Sequence, residues 1–281
     1  MNHPFIVKMD YAFQSENKLF FALEYCPGGE LFFYLSQIGR FKQDAARFYA
    51  ANILLALEHL HSKNILYRDL KPENVLVGSD GYVRLTDFGL SKENINGTKD
   101  ATSLCGTAEY LSPEILQRQG HGKSTDWWSF GAIIYEMLVG LPPFYNKDRE
   151  KLYQNIKYQP PNLNFEFLTP AARDLCAKLL IKNPLERLGA GPTDAAEIKS
   201  HEWFDEIDWN KIENKLLPPP YTPQLDSMYD VKHFPPEFTN MAMSPTDMES
   251  LKAQSANNAF NAFSYDANHP NSLGQGQFQM N

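Results

Sequence analysis

The sequence predicts an α+β fold in which helices dominate and a few short strands pair antiparallel. Three observations lead to this class. Residues 44–61 carry apolar side chains at steps of three and four, which indicates a helix with one buried face. Residues 126–139 are almost entirely apolar, which indicates a second, more deeply buried helix. Between them, the short runs "VLV" and "YVRL" flank "GSDG", the pattern of an antiparallel hairpin.

The elements before these helices also follow from local pattern. Residues 5–14 and 18–24 read as two strands around the polar turn "SEN". The run 20–23 is apolar on both faces, and an isolated hairpin is only marginally stable, so this pair is expected to be the end of a larger sheet. "CPGGE" at 26–30 then predicts a turn.

The second half of the chain changes character along its length. Residues 170–181 and 194–200 are amphipathic and predict helices. "LPPPYTP" at 217–223 fits neither a helix nor a central strand, because proline lacks the backbone donor. Residues 253–281 are rich in Asn, Gln and Ser, which predicts a mobile tail.

Composition narrows the classes of partner and compartment. Asp and Glu total 34 against 26 Lys and Arg, giving a net charge of -8. This charge either favours basic partners or simply provides solubility, and without a basic cluster we expect no nucleic-acid partner. Three scattered cysteines indicate a reducing compartment, the cytoplasm or the nucleus. No apolar run approaches the ~20 residues of a membrane span, so no transmembrane segment is predicted.

One group of polar residues surrounds the predicted hairpin. Asn74 immediately precedes its first strand, Asp87 shortly follows its second, and Asp69 and Lys71 lie in the loop before Asn74. Because the outer ends of an antiparallel pair lie side by side, these oxygen ligands are expected to converge. Such ligands suit Mg²⁺, which shares its coordination sphere with water and phosphate oxygens. Each piece alone is ordinary turn chemistry, but their combination in this order indicates a functional site.

Five stretches carry a resemblance to a known family. They are "YRDLKPEN", "DFG", "CGTAEYLSPE", "DWWSFG" and "NPLERLG". Together they resemble the motifs of eukaryotic protein kinases, over residues 1 to about 204. The resemblance implies ATP and Mg²⁺ as cofactors and a serine/threonine type of kinase. It also implies a protein-kinase-like fold, with a mainly helical C-terminal lobe and only the last strands of the N-terminal lobe.

The resemblance assigns roles to individual residues. Asp69 is the catalytic base or orienting residue, Lys71 steadies the transferred phosphoryl group, and Thr107 braces both. Asn74 and Asp87 hold Mg²⁺. The implied nucleotide-binding residues are Leu23, Glu24, Cys26, Glu30, Glu73, Leu76 and Asp87. Three glutamates match positions that bind arginine of the substrate, namely Glu30, Glu73 and Glu136. Glu114, Arg187 and Asp126 are expected to be structural.

The C-terminal region narrows the resemblance to the AGC group, in its Akt, S6-kinase and SGK-like branch. "FPPEFT" at 234–239 resembles the tail segment that crosses the nucleotide mouth, "MSPTD" the turn motif and "FNAFSY" the hydrophobic motif. We therefore expect a kinase domain over 1–204 and a tail over 205–281. The implied phosphosites are Ser103, with Thr102 as alternative, Ser244 and Ser264. The implied partners are protein substrates with basic residues near the acceptor and an upstream activating kinase of the phosphoinositide-dependent type.

Some family motifs do not occur in the sequence. No GxGxxG precedes Glu24, and Lys8 has the wrong context for the lysine of the third strand. We expect an N-terminally truncated kinase that is almost inactive by itself, with a tail that does not dock from about residue 240. The alternatives are a naturally truncated module that acts as a phospho-regulated binding or decoy protein, and an unrelated scaffold. Intact Asp69, Lys71, Asn74 and Asp87 favour the first hypothesis.

Overall fold

The computed structural model describes residues 2–14, 19–93, 95, 101, 106–240 and 265–267. The strands within these ranges are β1 (Met9–Gln14), β2 (Leu19–Leu23), β3 (Val75–Val77), β4 (Val83–Leu85) and β5 (Tyr265–Asp266). The α-helices are α1 (Leu31–Ile38), α2 (Gln43–Ser62), α3 (Pro113–Leu116), α4 (Ser124–Val139), α5 (Arg149–Tyr158), α6 (Pro170–Leu179), α7 (Ala195–Lys199), α8 (Trp209–Glu213) and α9 (Pro236–Thr239). Short 3₁₀ helices cover Pro72–Asn74, Ala108–Tyr110 and Glu202–Phe204. This content confirms the predicted α+β class.

The first sheet contains the predicted N-terminal hairpin. β1 and β2 pair antiparallel, with Met9 opposite Leu23 and Gln14 opposite Leu19. The outer face of β2 is apolar and exposed, and Phe21 is 57% accessible there. The strand order is β2-β1-β5, so the third strand comes from the far C-terminus of the chain.

The position of β5 corrects one expectation. The tail from about residue 240 was expected not to dock, but Tyr265 pairs with Ala12 and Asp266 with Tyr11. The amide of Ala267 also donates to the carbonyl of Asp10 at 2.9 Å. A strand edge presents unpaired N–H and C=O groups, which any extended segment can satisfy without a complete side-chain pocket. The prediction was therefore wrong for residues 265–267, whereas the rest of the tail after residue 240 lies outside the described residues.

The second sheet is the hairpin that the "GSDG" turn predicted. β3 and β4 pair antiparallel, with Val75 opposite Leu85. The N-terminal segment continues onto this hairpin, because the amide of Val7 donates to the carbonyl of Leu85 at 2.9 Å. Below it, the ring of Phe5 stacks on that of Tyr82. The hairpin is thus fixed against both the N-terminal segment and the helical part of the molecule.

The two longest helices form the centre of the core. α2 has 20 residues and α4 has 16, and nearly every residue of α4 is buried, including Trp127 and Trp128. α6 packs closely on α4 at Gly131, where a Cβ atom would lie only 2.7 Å from the Cβ atom of Leu179. Glycine at this position therefore sets the distance between the two helices. The predicted helices at 44–61 and 126–139 are both present.

The segment after residue 205 runs back over the rest of the molecule. The Tyr82 hydroxyl donates to the carbonyl of Leu217 at 2.5 Å, and the Tyr25 hydroxyl donates to the carbonyl of Asp230 at 2.7 Å. Residues 217–223 form no helix or strand, as their prolines predicted. Of the helices that the structure describes, none is long and apolar enough to cross a membrane.

Candidate active site

The loop between α2 and β3 is held from below by one buried carboxylate. Asp126, in the first turn of α4, accepts the amide of Tyr67 at 2.9 Å and that of Arg68 at 2.8 Å. Arg68 has φ +69, an unusual conformation for a residue with a side chain. Two charge-assisted hydrogen bonds from Asp126 to successive amides stabilise this conformation. They fix the direction in which the chain enters Asp69.

Three of the predicted catalytic residues converge directly after this turn. The Lys71 ammonium lies 2.9 Å from Asp69 Oδ2. The amide nitrogen of Asn74 donates to the same oxygen at 3.0 Å and to the carbonyl of Asp69 at 2.8 Å. Asp69 is buried, yet its carboxylate is paired with a cation and a neutral donor. A buried carboxylate in this arrangement is oriented and available to accept a proton from a hydroxyl group.

The hairpin brings Asp87 to the same end of the molecule. The amide of Thr86 donates to the carbonyl of Asn74 at 3.0 Å, which joins the two outer ends of β3 and β4. Asp87 has φ +55 and accepts the amide of Gly89 at 3.1 Å. Burial raises the pKa of Tyr67 well above its ordinary value, and the negative charges of Asp69 and Asp87 raise it further. The charges of both carboxylates thus reach the hydroxyl group of Tyr67.

The donor set at this end fits a small hard cation. The side-chain nitrogen of Asn74 is used by Asp69, which leaves the side-chain oxygen of Asn74 as an acceptor, and the side chain of Asp87 is exposed. One amide oxygen and one carboxylate are the few protein ligands that Mg²⁺ takes when phosphate and water complete its shell. Among the described residues, no group of three or more His, Cys, Asp or Glu forms a metal cage.

The predicted hinge follows β2 and is tied to the hairpin by charge. The carboxylate of Glu24 lies 2.9 Å from Arg84 Nε, and Arg84 in turn pairs with Asp80 at 3.0 Å. Burial raises the pKa of the Cys26 thiol to about 11, so this cysteine is a packed neutral side chain. Leu23 is half exposed and Leu76 is partly buried, and their contacts with adenine stay predictions.

The three glutamates predicted to bind arginine lie close together. Burial raises the pKa of Glu30, and the charge of Glu73 raises it further. Burial also raises the pKa of Glu136 to about 7, opposed by a hydrogen bond from Tyr110 and assisted by Glu73 and Glu109. Carboxylates whose charges shift one another's pKa lie near one another, so we name Glu30, Glu73, Glu109 and Glu136 the acidic surface, in which Glu73 is exposed and Glu136 is buried. Glu109 and Tyr110, whose hydroxyl donates to Glu136, were not among the predicted site residues.

The predicted structural pair is present. The guanidinium of Arg187 binds both oxygens of Glu114, at 2.8 and 3.0 Å, with both residues buried. Thr125 adds a third hydrogen bond to Glu114 at 3.0 Å. Burial opposes ionisation of Glu114, but Arg187 lowers its pKa below the ordinary value. This ion pair joins α3 to the loop after α6.

Several predicted site residues cannot be placed in this geometry. Thr107 is described, and it directly follows Gly106, which packs beside Asp69. Its contact with Asp69 and Lys71 stays a prediction. The proposed acceptors Ser103, Thr102, Ser244 and Ser264, and the aromatic pair Phe260 and Phe263, lie outside the described residues.

Comparisons with known proteins give two matching family profiles and several similar relatives. A family profile described as "Protein kinase domain" matches residues 1–204, and one described as "Protein kinase C terminal domain" matches residues 225–265. Human "Ribosomal protein S6 kinase alpha-3" is 46% identical over 268 residues, covering 95% of this chain and 36% of that protein. The "RAC family serine/threonine-protein kinase homolog" of Dictyostelium discoideum is 47% identical over 248 residues, covering 88% and 54%.

A third relative is matched over a larger share of its own length. Human "Serine/threonine-protein kinase Sgk2" is 46% identical over 269 residues, which cover 94% of this chain and 73% of that protein. The chain therefore spans between about a third and three quarters of the length of these curated relatives.

Proposed function

The chain belongs to the protein kinase family, with relatives in the AGC group, and from that premise we propose that it serves ATP-dependent phosphorylation of serine or threonine in protein substrates. The observation that carries the proposal is the convergence of Lys71 and Asn74 on Asp69, within 3.0 Å. A structural role alone does not require a lysine and an amide to orient one buried carboxylate beside an exposed second one.

In the proposed reaction, Asp69 accepts or orients the proton of the substrate hydroxyl. The ammonium group of Lys71 lies beside the Asp69 carboxylate and balances negative charge on the transferred phosphoryl group. Asn74 and Asp87 would hold Mg²⁺, which when bound neutralises charge across the phosphates of ATP. The hinge at Glu24 and Cys26 would supply the backbone groups that bind adenine.

The acidic surface supports a preference for basic substrates. We propose that Glu30, Glu73 and Glu136 bind arginine residues located before the acceptor, because guanidinium and carboxylate groups pair through two parallel hydrogen bonds. The alternative for Glu30 and Glu73 is that each is an ordinary surface glutamate, solvated by water and without a binding role. It fits Glu136 poorly, because that carboxylate is buried.

Regulation is proposed on the sequence alone. Ser103 lies between "DFG" and "SPE", and its phosphate would add about -1.5 to -2 charge near Arg68. An upstream kinase of the phosphoinositide-dependent type would phosphorylate it, and Ser244 and Ser264 would be tail sites. Mass spectrometry of active enzyme with Ser103 unmodified would overturn this assignment. A cytoplasmic or nuclear location is proposed separately, because the three cysteines are few and scattered in the sequence.

The activity of these 281 residues by themselves is proposed to be low. Phosphoryl transfer is accelerated mainly by positioning and electrostatics, and the sequence contains no GxGxxG loop. Loss of one preorganised charge-stabilising donor typically costs on the order of 10² to 10³ in rate. Robust Asp69-dependent phosphorylation by this chain would contradict the proposal.

The central experiment compares two Asp→Asn variants in a protein that joins this chain to a glycine-rich loop and a lysine–glutamate pair. Asp69→Asn should abolish phosphorylation of an arginine-containing peptide while Mg-ATP still binds, as measured by calorimetry. Asp44→Asn, at an exposed position in the first turn of α2, should leave both measurements unchanged. Near-normal turnover in Asp69→Asn would refute the assignment, and so would loss of nucleotide binding together with turnover.

A further inference from the structure

A chain of three side chains, of which Asp126 and His61 are fully buried and Asp194 is partly exposed, leads from the loop that carries Asp69 to the loop that precedes α7. Asp126 binds the amides of Tyr67 and Arg68, and its Oδ2 also lies 2.9 Å from Nε2 of His61. The other ring nitrogen of His61, Nδ1, lies 3.1 Å from Oδ2 of Asp194. His61 is fully buried between the two carboxylates. The link spans 133 residues of sequence, from the end of α2 to the start of α7.

Asp194 adopts a costly local conformation while making this contact. Its backbone has φ +49 and ψ -120, a region that residues with side chains rarely occupy. It is the residue before α7, where aspartate normally caps the helix, yet among the described residues its carboxylate accepts no amide of α7. Instead it accepts the indole N–H of Trp127 at 2.7 Å. Asp194 therefore directs its side chain towards the buried histidine rather than towards its own helix.

The charges around the histidine favour a doubly protonated ring. Burial alone would lower the pKa of His61, but the hydrogen bonds and charges of Asp126 and Asp194 outweigh it and raise the pKa above the ordinary value. The ring of Trp127 also packs edge-on against His61, at 4.8 Å between ring centroids, and the charge of Lys123 lowers the pKa of Asp194. An imidazolium ring donates from both nitrogens, so it can bind both carboxylates at once.

We propose that Asp194 is a positioning residue for the loop that carries Asp69, acting through His61 on Asp126. By fixing one nitrogen of the imidazolium ring, Asp194 sets the orientation of the other, which in turn keeps Asp126 directed at the amides of Tyr67 and Arg68. The inference rests on the proposed function only in naming that loop as catalytic. Its readouts need no phosphoryl transfer, so it can fail independently of that function.

The test uses the 281-residue chain and the variant Asp194→Asn. Asparagine keeps the size of the side chain and an oxygen for Trp127 but removes the negative charge beside His61. NMR titration should show the pKa of His61 lowered by about one unit or more, since a neighbouring opposite charge typically contributes shifts of this size. Amide exchange at Tyr67 and Arg68 should become about tenfold less protected near neutral pH, as one unit corresponds to tenfold in an equilibrium.

The pH dependence gives a second readout. A histidine whose folded pKa is raised contributes stability that is complete below its unfolded pKa and is lost as the pH rises through the folded pKa. In the unaltered chain, protection at Tyr67 and Arg68, corrected for intrinsic exchange, should fall as the pH passes the pKa of His61. In Asp194→Asn the same fall should begin at lower pH.

The matched control is Asp208→Asn. Asp208 also precedes a short helix, and it caps α8 by accepting the amide of Lys211 at 3.0 Å. This variant should leave the His61 titration and the two amides unchanged. The proposal is overturned if Asp194→Asn leaves His61 unshifted, or if it shifts His61 without changing Tyr67 and Arg68. If Asp194→Asn does not fold, the unaltered chain decides, and protection that does not follow the His61 titration overturns the proposal.

Discussion

The hydroxyl of Tyr110 donates a hydrogen bond of 2.5 Å to the carboxylate of Glu136, and both residues are buried. Among the residues that the structure describes, no cationic side chain pairs with this carboxylate. The charges of Glu73 and Glu109, in contrast, lie close enough to raise the pKa of Glu136. One neutral hydrogen bond thus compensates only part of the cost of burying this charge. Ionisation of Glu136 therefore destabilises the isolated protein. A guanidinium group bound beside the carboxylate would remove this cost.

The first prediction is a pH-dependent gain of stability in Glu136→Gln. Burial raises the pKa of Glu136 from 4.5 to about 7, so the folded state binds a proton more tightly than the unfolded state. Stability therefore falls as the pH rises from about 4.5 to about 7, by on the order of 3 kcal/mol. Glutamine has no such dependence. Urea denaturation should show Glu136→Gln more stabilised at pH 8 than at pH 5, by about 2 kcal/mol.

The control for this prediction is Glu213→Gln, on the exposed side of α8. It should change stability by the same small amount at both pH values. A Glu136→Gln effect that is equal at pH 5 and pH 8 would show that Glu136 ionises normally in the folded state.

The second prediction concerns the ion pair of Glu114 and Arg187. Removal of one partner leaves an uncompensated buried charge, so Arg187→Met should destabilise the chain by about 3–5 kcal/mol. Glu114→Gln together with Arg187→Met should cost clearly less than the two single changes added. A double-mutant cycle from denaturation curves measures the difference, and additive effects would mean that the two charges do not stabilise each other.

The sequence predicted those parts of the fold that rest on strong local patterns. The hairpin at Asp80 and Gly81 and the helix α4 were identified because turn chemistry and a long apolar run leave few alternatives. Helix α5 was missed, because its sequence is polar and only Leu152 and Ile156 are buried. β5 was missed as well, because its pairing depends on the distant edge of β1 and on no pattern of its own.

The same distinction applies to the candidate site. Asp69, Lys71 and Asn74 lie within six residues of one another, so their proximity could be predicted from the sequence. Glu109 lies within the motif "CGTAEYLSPE", but only the folded structure places it close enough to Glu136 to raise the pKa of that residue. Asp194 lies far from His61 in sequence, and no spacing rule connects them. Contacts of this kind arise from packing of whole helices, which local patterns do not determine.

The third prediction tests the acidic surface in a protein that joins this chain to the glycine-rich loop. Glu73→Gln should lower kcat/KM for a peptide with arginine before the acceptor by about 10- to 100-fold, the usual effect of losing a hydrogen bond to a charged group. The same peptide with alanine in place of arginine should react equally with both proteins. Glu213→Gln is the control. Equal losses for both peptides would place the effect of Glu73 in the nucleotide site rather than in substrate recognition.

The last prediction concerns the edge of β1. The pairing of Tyr265 with Ala12, and the bond from the amide of Ala267 to the carbonyl of Asp10, cover backbone groups that β1 would otherwise expose. A chain ending at Ser264 removes this strand, whereas a chain ending at Ala267 keeps it and removes only residues 268–281. Hydrogen exchange should therefore be faster at Ala12 in the shorter chain and unchanged in the longer one. Because the Ala12 amide would lose the protection of about one backbone hydrogen bond, worth about 0.5–1.5 kcal/mol, the expected acceleration is up to about tenfold. The amides of α4 should exchange equally in both chains, since they lie in the core away from this edge. Equal exchange at Ala12 in the two chains would contradict this prediction, because it would mean that the tail does not pair with β1 in solution.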